Sequence, residues 1–83
     1  MEKLTICLKV PSIEKEFDVC IPTFITIKEL TELFVKAVGD ISNHYYISSG
    51  SEALCLEEMN IFLVREKTVS QYNIQNGDHI VML

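Results

Sequence analysis

Residues 17–38 read FDVCIPTFITIKELTELFVKAV, and a change of hydrophobic period inside this stretch decides the fold. Phe17, Val19 and Ile21 recur at every second position, the spacing of a strand with one buried face. After Pro22 the spacing changes, and Ile27, Leu30, Phe34 and Val38 fall on one face of a helix. One apolar strand therefore feeds one apolar-faced helix. Neither can bury its apolar side alone, so the flanking segments must supply the other wall of a shared core.

The junction carries its own start signal. Thr26-Ile27-Lys28-Glu29 fits a capping box, with the Thr26 hydroxyl accepting from the Glu29 N–H and the Glu29 side chain reaching back. Ile25 and Leu30 stand where a hydrophobic staple would close over the cap. Lys28, Glu32 and Lys36 mark the exposed face, and Gly39 stands where a left-handed residue ends a helix. The spacing predicts a helix over residues 27–38.

Upstream, Leu4, Ile6, Leu8 and Val10 alternate with polar or small residues, which predicts a strand over residues 3–10. Pro11-Ser12-Ile13-Glu14 breaks the pattern and Lys15 to Ile21 resumes it, as in an antiparallel hairpin. If Leu8 faces Phe17 and Ile6 faces Val19, the outward set is Thr5, Cys7, Lys9, Asp18 and Cys20. Downstream, Asp40 to Glu52 reads as a long, partly ordered connection, with His44-Tyr45-Tyr46-Ile47 a candidate short strand and Ser48 to Ser51 a turn.

Ala53 to Glu57 alternates again, and Ile61 to Val64 completes a second hairpin. Val69 and Ile74 flank a segment too short for a stable helix, which predicts a 3₁₀-like turn over Thr68 to Tyr72. Asn76-Gly77-Asp78 reverses the chain, with Gly77 free to take a positive φ. The run Ile80-Val81-Met82-Leu83 is apolar on both faces, as in a strand at the middle of a sheet, and belongs beside the first strand.

Composition limits the function classes. A chain of 83 residues, 48% hydrophobic and 23% charged, is expected to form one domain over residues 1–83. Its formal net charge of −5, with the basic residues scattered, argues against a nucleic-acid partner. No apolar run has the length of a membrane span, and Met1-Glu2-Lys3-Leu4-Thr5 does not open a signal peptide, so a cytoplasmic location without membrane insertion is expected. Cys7, Cys20 and Cys55 are an odd number without CxxC spacing, which suits reduced thiols. His44 and His79 have no nucleophile, base or metal ligand at a meaningful spacing, so no catalytic, cofactor or metal site is expected.

The order hairpin, helix, two strands, pinned turn, last strand is that of an α+β β-grasp fold, ββαββ-turn-β, with a mixed sheet of four to five strands packed on one helix. The tail carries the resemblance: Thr68-Val69-Ser70-Gln71-Tyr72-Asn73-Ile74-Gln75 closely resembles the segment of ubiquitin before its last strand. Thr26, Ile27, Leu30 and Phe34 likewise resemble the helix start and core face of ubiquitin. The likeness implies Ile80 and Met82 inward, Val81 and Leu83 outward, and a Tyr72 hydroxyl bonded to backbone. Phe17-Asp18-Val19-x-Ile21-Pro22, Lys28-Glu29-Leu30 and Tyr72-x-Ile74-x-Asn76-Gly77-Asp78 look like the YukD/EsaB family of small ubiquitin-like proteins that accompany Gram-positive type VII secretion.

That resemblance implies a non-enzymatic accessory or regulatory protein acting through protein partners, among them secretion-machinery components. Ubiquitin and the sulfur carriers of this fold end in a flexible Gly-Gly that is activated, whereas this sequence reads to Leu83 in its last strand, so conjugation is not expected. The alternatives are a degenerate sulfur-carrier-like protein and a generic ubiquitin-like module of another assembly. Cys55 and Glu57 occupy the outward side where ubiquitin presents an apolar patch, so recognition by ubiquitin receptors is not expected to transfer. Thr5, Cys7, Cys20, Glu57, Val81 and Leu83 form the candidate protein-binding surface, and the acidic residues Glu52, Glu57, Glu58 and Glu66 otherwise read as a solvated face. The oligomeric state is open.

Overall fold

The computed structural model describes residues 3–83. Met1 and Glu2, the start of the stretch read against a signal peptide, lie outside the described residues. Two strands, β1 (Lys3–Val10) and β2 (Lys15–Pro22), form the first hairpin, followed by the helix α1 (Ile27–Ile41). The short strands β3 (Leu54–Leu56) and β4 (Ile61–Phe62) form the second hairpin, and β5 (His79–Met82) closes the sheet. The sheet order is β2-β1-β5-β3-β4, with β1 and β5 parallel and the other pairs antiparallel. This is the β-grasp arrangement expected from the sequence.

The first hairpin has the predicted register, Leu8 opposite Phe17 and Ile6 opposite Val19. A 3₁₀ turn, Pro11–Ile13, joins its strands, and Glu14 takes a left-handed φ of 54° to complete the reversal. On the inner face Ile6, Leu8, Val10, Ile21, Leu54, Leu56, Ile80 and Met82 meet Ile27, Leu30, Phe34 and Val38 of α1, all buried. Among the described residues no helix is long and apolar enough to cross a membrane.

The helix begins as predicted. Glu29 N–H donates to Thr26 Oγ1 at 3.1 Å, and Thr26 N–H donates to Glu29 Oε1 at 3.0 Å. These bonds hold the Glu29 carboxyl below its ordinary pKa. The helix end differs from the expectation. Gly39 lies inside the last turn, and the chain reverses at Asn43 and His44, both at positive φ. Asn43 N–H donates to the Asp40 carbonyl and His44 N–H to the Gly39 carbonyl, the paired bonds of a Schellman motif. Asparagine tolerates the left-handed region well enough to take the place of glycine there, so α1 gains almost a turn.

The connection that follows forms no strand; His44 ends a turn, Tyr46 is a bend, and Tyr45 and Ile47 are irregular. It is ordered around Glu52, which is buried and not part of a solvated acidic face. Its Oε2 accepts from Tyr46 Oη (2.7 Å), Ser48 Oγ (2.7 Å) and Ser49 N–H (2.9 Å). Burial disfavours its charge, yet the bonds from Ser48 and Tyr46 outweigh that and leave its pKa lowered. Burial and the neighbouring carboxylate push the Tyr46 phenol up to about 12, so it remains a donor.

A second short turn, Val69–Gln71, is the 3₁₀ segment read from the sequence, with Val69 and Ile74 buried on either side. Tyr72 Oη accepts from Val64 N–H at 2.6 Å, which ties this turn to the end of the second hairpin. Gly77 has φ 88°.

Tyr72→Phe should lower the unfolding free energy by about 0.5–1.5 kcal/mol in urea titrations, the usual net worth of one such bond, without altering the fold. Glu52→Ala removes the common acceptor of three donors and should cost about 1–3 kcal/mol, with amide exchange accelerated selectively over residues 46–49. Unchanged exchange there would show that the loop is held by something other than this carboxylate.

Candidate protein-interaction surface

The inner face of the sheet is consumed by the core, so the outer face is where side chains of β1, β2, β3 and β5 can meet a partner. Register defines its rows. Phe62, Cys55, Val81, Lys9 and Glu16 lie side by side across all five strands. Toward one end, Ala53 and Leu83 exchange backbone bonds of 3.0 and 2.9 Å, and Leu63 N–H donates to the Leu54 carbonyl, which brings Val64 to the same side. Toward the other end follow Cys7 with Asp18 and His79, and then Thr5 with Cys20.

The six predicted residues all reach this outer side, but they do not form one patch. Because β5 runs parallel to β1, Leu83 lies toward the Val10 end of β1, whereas Thr5 and Cys20 lie at the opposite end. Val81 and Leu83 instead join Phe62 and Val64, which are 63% and 46% exposed, in an apolar corner around Cys55. Phe62 and Val64 lie outside the set expected from the sequence. Their signal was present in the alternation of Ile61 and Leu63 with them, once Leu63 is known to be buried.

A belt of charges separates the two corners. Lys9 Nζ donates to both oxygens of Glu57 at 2.9 and 3.0 Å, reaching across β5 from β1 to the end of β3. Glu57 is therefore a paired residue at the centre of the face, and this bond raises the Lys9 pKa. Glu58 accepts from the His79 N–H at 2.8 Å and pairs with Nδ1 of the same histidine, closing the β3–β4 turn onto β5. His79 is thus a structural partner, although its side chain stays 38% exposed. Cys7 Sγ donates to Glu16 Oε1, and burial followed by that carboxylate raises the thiol pKa, so the thiol keeps its proton and is a poor nucleophile. Among the described residues no three His, Cys, Asp or Glu side chains converge as metal ligands.

The Glu58–His79 pair makes stability depend on pH. The bond to Glu58 raises His79 above 6.5, so its contribution is complete below that value and is lost as pH rises through the folded pKa. The bond to His79 lowers Glu58 below 4.5, so its contribution is present above that value and is lost on further acidification. The stability difference between the protein and its His79→Gln variant should therefore be largest between pH 4.5 and 6.5 and smaller at alkaline pH. Thermal midpoints of both proteins across this range provide the measurement; a difference independent of pH would contradict the pairing.

No family model matches the sequence, and no curated protein matches it. Among solved structures, the ubiquitin-like domain of an Arabidopsis thaliana protein aligns with 100% of this chain and 78% of its own, at 20% identity and TM-score 0.71. The UBL domain of Plasmodium falciparum Dsk2 aligns over 99% of this chain and 100% of its own, at 20% identity and TM-score 0.67. A chain of the MycP5-free ESX-5 inner membrane complex matches with TM-score 0.83 at 13% identity, over 100% of this chain but 21% of that one. The likeness is one of fold, shared in the last case with part of a much longer chain: this protein has the ubiquitin-like β-grasp fold.

Proposed function

We propose that this protein is a non-enzymatic ubiquitin-like accessory or regulatory protein of a Gram-positive type VII secretion system. It acts by protein–protein contact and not by conjugation. The observation that carries this reading is the likeness in fold to a domain of an ESX-5 inner membrane complex chain, which supports it because the alignment takes in the whole of this chain. Independent support comes from the residues that resemble YukD/EsaB proteins, Phe17 to Pro22 and Tyr72 to Asp78. The partner is a component of the secretion machinery. It docks on the outer face of the sheet, with Phe62, Val64, Val81 and Leu83 as the apolar centre and Glu57, Lys9 and His79 as the polar border.

Deletion of the gene in the encoding organism should reduce export of small helical type VII substrates, and the intact gene should restore it. Leu83→Asp and Phe62→Asp, at positions 58% and 63% exposed, should abolish restoration and the capture of machinery components by crosslinking, with little change in stability. Undiminished export in the deletion strain would refute the reading. A thiocarboxylate or isopeptide adduct at Leu83, found by mass spectrometry of the protein from its own cells, would favour a carrier instead.

A further inference from the structure

Strand β2 is a margin of the sheet, with a neighbour on one side only. Which of its backbone groups are free follows from β1. Cys7 N–H donates to the Asp78 carbonyl at 2.9 Å and the Thr5 carbonyl accepts from Gly77 at 2.8 Å, so these residues direct their peptide groups toward β5. Peptide groups alternate sides along a strand; Ile6 and Leu8 therefore face β2 and bond their partners Val19 and Phe17. Glu16, Asp18 and Cys20 are left with N–H and C=O directed away from the sheet. Pro22, which has no N–H, ends the usable edge.

Beside this edge runs an apolar groove between β2 and α1. One part, of about 340 Å³, is lined by Val19, Ile21, Leu33, Phe34 and Ala37. A wider hollow of about 780 Å³ and mixed character follows toward the start of β2, with Phe17, Ile41 and Tyr45 in its walls beside Lys15, Asn43 and His44; the apolar strip that takes side chains is therefore the part along Val19, Ile21 and Leu33. Leu33, Ala37 and Ile41 stand at i, i+4 and i+8 and so form one stripe along the helix; Leu33 is 51% exposed and Ile41 58%. Of the β2 side chains that point the opposite way, Glu16 and Asp18 are acidic and Cys20 is neutral, and all three are exposed.

We propose that β2 accepts an additional strand, an extended segment of a partner protein in which apolar residues alternate with Lys or Arg. An open row of peptide donors and acceptors selects an extended backbone. Alternate residues of the incoming strand drop into the groove beside Val19 and Ile21. The residues between them sit next to Glu16 and Asp18, where opposite charge is favourable and like charge is not. A second copy of this chain is a poor occupant for the same reason: antiparallel pairing of two β2 strands about Asp18 sets Asp18 against Asp18, in a protein of net charge −5. This edge is distinct from the apolar corner around Cys55, and the inference does not depend on the secretion reading.

The test uses the full chain and a short fluorescent peptide of alternating valine and lysine, with two controls: the same composition in separate blocks, and valine alternating with glutamate. The alternating basic peptide should bind at least about tenfold more tightly than either control. On binding, amide exchange should slow at Glu16, Asp18 and Cys20. Cys20→Pro removes an outward N–H at a position where an edge strand tolerates proline, and Leu33→Asp places a charge in the groove; each should weaken binding about tenfold. Ala37→Arg, on the helix surface, serves as the third variant if Cys20→Pro fails to fold. Equal binding of the block peptide, wild-type affinity in folded Leu33→Asp and Ala37→Arg, or protection at Val64 and Leu83 in place of β2 would each overturn the proposal. So would self-association through β2 in sedimentation experiments.

Discussion

The two-sided pairing of β5 is the constraint on which the rest of the molecule depends. β1 and β2 form one hairpin and β3 and β4 another, and the two hairpins are joined in one sheet only because β5 bonds β1 on one side and β3 on the other. An isolated hairpin is marginal in water. With β5 in place, Ile80 and Met82 complete the layer beneath α1 and are almost fully excluded from solvent. The turn before β5 is itself fastened to β1, since Thr5 N–H donates to Asn76 Oδ1 at 2.9 Å and Gly77 N–H to the Thr5 carbonyl. Register is thus set before the ladder begins.

The same long-range logic organises the start of the helix. The first N–H groups of an α-helix lack intrahelical partners. Here Ile27 and Lys28 donate theirs to the carbonyls of Lys67 and Arg65, while Val69 and Ser70 donate back to Ile25 and Thr23. The bridge between Thr26 and Thr68 joins the capping box that closes α1 with Glu29 to the 3₁₀ turn, where Thr68 N–H donates to Gln71 Oε1 and Gln71 N–H to the Thr68 carbonyl. Helix start and pinned turn are therefore one polar unit, which Tyr72 extends to Val64. Glu52 performs the corresponding task at the far end of α1 by gathering three donors from its own loop.

A fold shared with ubiquitin-like domains does not define a function, so what this protein can recognise lies on its surfaces. The outer face is divided by Lys9–Glu57 and Glu58–His79 into an apolar corner and a small polar one. The opposite margin offers an open strand edge over an apolar groove. These surfaces differ in chemistry: the first suits side-chain contacts with a folded partner, the second backbone pairing with an extended one.

Much of this architecture was legible in the residues because it rests on local chemistry. The alternation from Leu4 to Ile21 determined the first hairpin and its register, Thr26 and Glu29 the helix start, and Asn76-Gly77-Asp78 the last reversal. The end of α1 was not legible: Gly39 and Asn43 are both able to follow a helix in the left-handed region, and the actual bonds to Asp40 and Gly39 decide between them. Nor was the burial of Glu52, whose cost is offset only when Tyr46, Ser48 and Ser49 converge on it. The same holds for the pairs Lys9–Glu57 and Glu58–His79, 48 and 21 residues apart in sequence. The sequence by itself determined which side chains face outward, since that follows from a period of two. Which of them are neighbours was decided only by the tertiary structure, because the parallel direction of β5 on β1 places Leu83 with Phe62 and Val64 and sets it apart from Thr5 and Cys20.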